Sequence, residues 1–124
     1  MRVTNKANRL LLLGILLVST LATKADVKYL ISLQGQEFEM GNLLEWSTLK
    51  EVNSSYFFIE KSVNGIDFEQ IGKVDASGKM EGETAYHFLD IGADQKKSFY
   101  RLKEIEKDGS YSFSHTVLIN KQFS

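Results

Sequence analysis

The sequence predicts an all-β fold in which two antiparallel sheets pack face to face. From Val27 onward, apolar residues recur at every second position in short runs rich in aromatic and β-branched side chains. That is the pattern of strands with one buried face. Gly and Asn punctuate the runs at places suited to hairpins and short crossings rather than to βαβ units. No window beyond residue 26 carries the three-four apolar spacing of a helix, so helix content there is expected to be near nil.

About seven strands are expected. Val27, Tyr29 and Ile31 open the series, and Leu44 and Trp46 follow on either side of Glu45. Phe57 and Ile59 share one face of the next run, with Tyr56, Phe58 and Glu60 on the other. Then come Phe68, Ile71 and Val74, next Tyr86 and Phe88, next Tyr100 and Leu102. Tyr111, Phe113, Val117 and Ile119 share one parity and are expected to face the same way. Turns are expected at Gly41-Asn42, Asn64-Gly65, Ser77-Gly78, Gly92 and Asp108-Gly109, whose residues tolerate positive φ. The steps from Phe68 to Ile71 and from Leu102 to Ile105 are odd. A β-bulge is expected at one of them, the alternative for Ile105 being the outer face.

Residues 1–25 read as a secretory signal peptide. Arg2, Lys6 and Arg9 precede an apolar run from Leu10 to Leu21, and small residues follow at Ala22 and Ala25. Twelve residues make a helix of about 18 Å, short of a hydrocarbon core about 30 Å thick. Cleavage is expected after Ala22 or Ala25, leaving residues 26–124 as one β-sandwich domain. Four of the 15 basic residues lie in the leader, which leaves 11 against 16 acidic ones and a net charge of −5. Nucleic acid and anionic lipid reward clustered Lys and Arg, so neither is an expected partner, nor is membrane insertion after cleavage. The chain has no Cys, which removes disulfides, thiol chemistry and cysteine-ligated zinc. It has no Pro either, so sheet edges need charge, bulges or pairing for protection.

Two blocks carry a family resemblance. The first is Leu44-Glu45-Trp46-Ser47-Thr48, Asn53, then Tyr56 to Ser62 with Asn64-Gly65 and Phe68. The second is Phe99-Tyr100-Arg101-Leu102-Lys103 followed by Asp108-Gly109-Ser110-Tyr111-Ser112. In this order the chain resembles the fibronectin type III-like, immunoglobulin-like β-sandwich domains of bacterial surface proteins associated with type IX secretion. The resemblance implies a spacer or protein-interaction role at the cell envelope and supplies no catalytic residue. Such domains usually precede a C-terminal sorting domain, and none is expected in the five residues after Ile119. Export across the inner membrane is expected, to the periplasm, the outer-membrane surface or beyond.

Trp46 is the expected core anchor, because its apolar area dominates a thin core. Tyr100 is a candidate tyrosine corner, with a buried ring and a hydroxyl bonded to backbone. His87 should face solvent and His115 should be partly buried; neither has a ligand-type partner at metal spacing. Asp90 with Asp94, and Glu106 with Asp108, bracket turns without spelling a calcium loop. Glu37 with Glu39 and Glu104 with Glu106 could pair carboxylates, and Ser112, Ser114 and His115 hold hydroxyls near an imidazole. Neither set comes with a cleft, elbow or oxyanion-hole signature. The sequence-based expectation is therefore no enzyme, no cofactor and no metal. The candidate interaction face is Tyr56, Phe58 and Phe99, which oppose the inward parity. Its expected partner is a protein or, alternatively, a surface glycan bound by exposed rings.

Overall fold

The computed structural model describes residues 29–122, with side chains from Ser32 onward. The expected leader lies outside the described residues. Eight strands form: β1 (Tyr29–Phe38), β2 (Gly41–Thr48), β3 (Ser54–Ser62), β4 (Glu69–Asp75), β5 (Thr84–Ile91), β6 (Lys97–Glu106), β7 (Tyr111–Phe113) and β8 (Val117–Asn120). All pairings are antiparallel. A three-stranded sheet has the order β1-β2-β5, and a five-stranded sheet has β4-β3-β6 with both β7 and β8 along the far side of β6. No helix occurs among the described residues, so none there could cross a membrane.

Strand alternation places the core between the sheets. Leu33, Leu44 and Trp46 from one sheet meet Phe57, Ile59, Tyr100, Leu102 and Ile119 from the other, all buried. Ile71, Val74, Tyr86, Phe88 and Val117 pack around them. Phe88 enters so deeply that a Cβ on Gly72 of β4 would lie 2.3 Å from its ring. Gly72 is therefore a packing glycine, leaving room for a ring from the opposite sheet.

Register decides which side chains of the five-stranded sheet face out. One extra residue on β4, Ile71, separates the pairs Ile59↔Gly72 and Glu60↔Gln70, so the bulge is at the Phe68–Ile71 step. Ile105 takes the outer face, opposite Tyr56 and Tyr111. A further shift corrects the sequence reading. Between the pairs Lys103↔Phe113 and Tyr100↔Val117, three steps along β6 match four along β7 and β8. The extra residue reverses the alternation. Val117 and Ile119 point inward, whereas Tyr111 and Phe113 stand exposed. This break also turns the expected seventh strand into two.

Gly41-Asn42 is not a turn. The turn is Glu39–Met40, Gly41 starts β2, and Asn42 is buried with its amide donating to the Tyr100 hydroxyl at 2.9 Å. Tyr100 has the expected buried ring, but its hydroxyl donates to the Asp90 carboxylate at 2.6 Å rather than to backbone. Asp90 in turn pairs with Lys61 at 2.7 Å. Burial and the Asp90 carboxylate push the Tyr100 phenol well above its ordinary range. Tyr100→Phe removes the donor to Asp90 and leaves the Asn42 amide without its acceptor. It is expected to cost about 1–3 kcal/mol and lower the melting temperature by roughly 4–8 °C per kcal/mol; an unchanged melt would remove this network from the stabilising set.

Candidate interaction face

The outer face of the five-stranded sheet gathers rings and cations in two neighbouring rows. Across the strands, the first row runs Asp75, Tyr56, Ile105, Tyr111, and the second runs Lys73, Phe58, Lys103, Phe113. Tyr56 and Phe58 meet edge to face at 5.0 Å, and Tyr111 and Phe113 do the same at 5.6 Å. Cations lie over the rings. Lys73 Nζ is 4.3 Å from the Tyr56 centroid, and Lys103 Nζ is 4.3 Å from that of Tyr111. The Arg101 guanidinium sits 4.0 Å from both Phe68 and Phe113, while its Nε donates to Glu60 at 2.8 Å. Each exposed cation–π contact is worth about 0.5–1 kcal/mol, so the lattice holds the side chains in place across the strands.

Of the expected face, the structure brings Tyr56 and Phe58 together, both half-buried. Phe99 shares their side of the sheet but stands beyond the Glu60–Arg101 pair, opposite Leu118. There its ring covers Gly65, where a Cβ would approach within 3.3 Å and φ is +78°. Tyr111 and Phe113, which are 59% and 46% exposed, replace it in the cluster. Sequence reasoning missed these two because it carried one parity through the bulge. It also passed over Lys73, Arg101 and Lys103, which alternate with inward residues but acquire their ring partners only through register.

Several of the other residues singled out from the sequence have local partners. His87 is exposed opposite Glu45. His115 is exposed rather than partly buried, with Nε2 3.0 Å from the Leu33 carbonyl. Glu104 is buried and accepts from the Ser54 hydroxyl, while Glu37 accepts from the Gln122 amide at 3.0 Å. Asp108 accepts from the Ser110 hydroxyl and amide, bonds that hold its carboxyl below the ordinary range. Ser114 accepts from the Leu102 amide at 2.8 Å and so belongs to the β6 edge. No group of three or more His, Cys, Asp or Glu able to hold a metal ion occurs among the described residues.

One buried carboxylate was not foreseen. Glu51, in the β2–β3 connection, is 1% exposed and accepts from the Thr48 hydroxyl at 2.5 Å, the Ser77 hydroxyl at 2.9 Å, the Gly78 amide at 2.9 Å and the Tyr86 hydroxyl. Burial pushes its pKa up, but these four bonds outweigh burial and hold it below the ordinary range. The same burial and the facing carboxylate raise the Tyr86 phenol.

No family model and no curated protein matches the chain. Two solved structures are similar to it. One is pectate lyase Pel3 from Pectobacterium carotovorum, with TM-score 0.55 and 18% identity over 73% of this chain and 26% of that one. The other is pectate lyase PelI from Erwinia chrysanthemi in complex with tetragalacturonic acid, with TM-score 0.53 and 14% identity over 70% of this chain and 27% of that one. The chain thus spans about a quarter of each. At such identity the likeness is one of fold. It nevertheless corrects the expectation of no enzyme: both neighbours are enzymes, so possession of this fold gives no ground for that exclusion.

Proposed function

We propose that the chain is an exported, fibronectin type III-like module that acts by surface contact at the cell envelope or beyond it. The outer face of the five-stranded sheet makes the contact, and a surface glycan is the ligand. The observation that carries this reading is the exposure of Tyr111 and Phe113 beside Tyr56 and Phe58, on a sheet whose inner face is sealed by a packed core. Aromatic side chains supply large, rigid contact area with a polar handle on tyrosine. The order β1-β2-β5 facing β4-β3-β6-β7 supports the immunoglobulin-like reading, with the fourth strand beside the third. Export rests on the sequence of residues 1–25, and association with type IX secretion on the resemblance alone. The neighbours lend a context: both are pectate lyases, one solved with an oligomeric sugar acid. A module of this kind working beside polysaccharide cleavage is consistent with the quarter of each enzyme that it spans.

A second reading, a protein partner, is favoured by a different surface. Phe38 and Ile91 flank Gly41 at one corner of the three-stranded sheet, next to the exposed Met40. An apolar corner of this kind suits a protein contact.

A glycan array probed with the wild type and with Tyr111→Ala/Phe113→Ala separates the two. The glycan reading expects reproducible binding by the wild type and a loss of roughly tenfold or more in the variant, about 1.4 kcal/mol. Absence of binding to any glycan, or binding untouched by the double substitution, would overturn it.

A further inference from the structure

The rings of the outer face do not offer bare π surfaces. Lys73 covers Tyr56, Lys103 covers Tyr111, and Arg101 fills the space between Phe68 and Phe113. A neutral sugar that stacks on these rings must first displace the cations and forfeit their attraction to the π-systems. A carboxylate need not. An ammonium carries three donors, so it can rest on its ring and still give hydrogens to an anion. Bonds of that charge-assisted kind are also the stronger ones. Building on the glycan reading above, we infer that the polymer taken by this face is a polyuronate, an acidic polysaccharide whose sugar residues carry carboxylates.

The spacing and the charge balance both support this. Lys73 and Lys103 occupy one row with Phe58 between them, two strand intervals apart. Strands about 4.8 Å apart place the two side-chain origins about 10 Å from each other. A chain of sugars laid across the strands therefore meets two lysines with the Phe58 ring between them, their ammonium groups lying over Tyr56 and Tyr111 of the neighbouring row. The acids on this face leave the lysines available. Glu60 is engaged by Arg101, and Asp75 stands 3.7 Å from Lys73 with both side chains half or more in solvent, a weak pair. Beyond the leader the chain is acidic, with a net charge of −5. A duplex with one charge per ~1.7 Å would be repelled by that surround. A polyuronate, charged once per sugar, can be held by two well-spaced ammonium groups.

Affinity electrophoresis of the exported protein through gels containing polygalacturonate, alginate, carboxyl-reduced polygalacturonate or duplex DNA tests the inference. The expected result is retardation by the two polyuronates that fades with added salt, with none by the reduced polymer. Lys73→Gln/Lys103→Gln should weaken polyuronate binding by roughly tenfold or more, as the loss of charge-assisted bonds implies, in a protein that is still folded at the assay temperature though its melt is lowered by the two lost cation–π contacts. Equal retardation by the carboxyl-reduced polymer would overturn the anionic assignment and leave the glycan reading standing. Retardation by DNA as strong as by polyuronate would overturn the sugar assignment. Failure of every polymer to retard the folded wild type would overturn the polyuronate assignment, and the glycan array above decides whether the glycan reading falls with it. If the double variant proves unfolded, salt-insensitive binding of the wild type alone would still refute the inference.

Discussion

Trp46→Ala is expected to lose about 3–5 kcal/mol out of a total of about 5–15 kcal/mol for a small domain. The indole is 2% exposed and sits where three rings meet. It stacks on Tyr86 at 5.5 Å with planes 18° apart and meets Phe57 edge-on at 5.7 Å, while Phe57 and Tyr86 lie 5.3 Å from each other. Removing it opens a cavity between the sheets that neither neighbour can fill without leaving its strand. Tyr86 is further tied through its hydroxyl to Glu51, so it cannot collapse inward. The chain has no disulfide to limit the damage. Urea unfolding followed by circular dichroism should show a midpoint well below that of the wild type, or no folded baseline. Trp46→Phe should cost far less. The indole Nε1 has no hydrogen-bond partner among the described residues, so losing that N–H leaves no protein acceptor stranded. Equal stability of Trp46→Ala and wild type would remove Trp46 from the role of core anchor.

The core was legible from Leu44, Trp46, Phe57, Ile59, Tyr100 and Leu102 because each sits on a strand flanked on both sides and buries one whole face. β1 was half hidden for the opposite reason. It is a sheet edge, and between Ser32 and Phe38 only Leu33 is buried. Gly41-Asn42 carried a turn signal that tertiary bonding overrode, since Asn42 pays for its buried amide by donating to Tyr100. At the interaction face, Tyr56 and Phe58 were readable from alternation within one strand. Tyr111 and Phe113 were not, because a single extra residue before Val117 reverses parity and no residue type announces it. The cations were invisible for a related reason: Lys73, Arg101 and Lys103 reach rings across strands, and inter-strand register is set by the whole fold.

Glu51→Ala should rival the tryptophan substitution, with a different signature in pH. It strips one acceptor from four donors, Thr48, Ser77, Gly78 and Tyr86, which arrive from β2, from the segment after β4 and from β5. The Thr48 and Tyr86 hydroxyls lose their acceptor inside the fold, which costs about 1–3 kcal/mol for each, whereas Ser77 and Gly78 are exposed and can turn to water. Glu51→Gln is the sharper test. Its carbonyl oxygen can serve Ser77 and the Gly78 amide, and the hydroxyls of Thr48 and Tyr86 can rotate to accept from its NH₂. The neutral side chain should therefore retain more stability than alanine at pH 7. The sign of the pH effect follows from the depressed pKa of Glu51. Its stabilising contribution is complete above the unfolded-state value of about 4.3 and is lost as pH falls through the lower folded-state value. Wild-type stability should thus drop on acidification below about pH 4.3, and Glu51→Gln should show a shallower drop over the same window. Parallel acid profiles for the two proteins would mean that another carboxylate governs acid unfolding, and would remove Glu51 as the clasp joining the β2–β3 and β4–β5 connections.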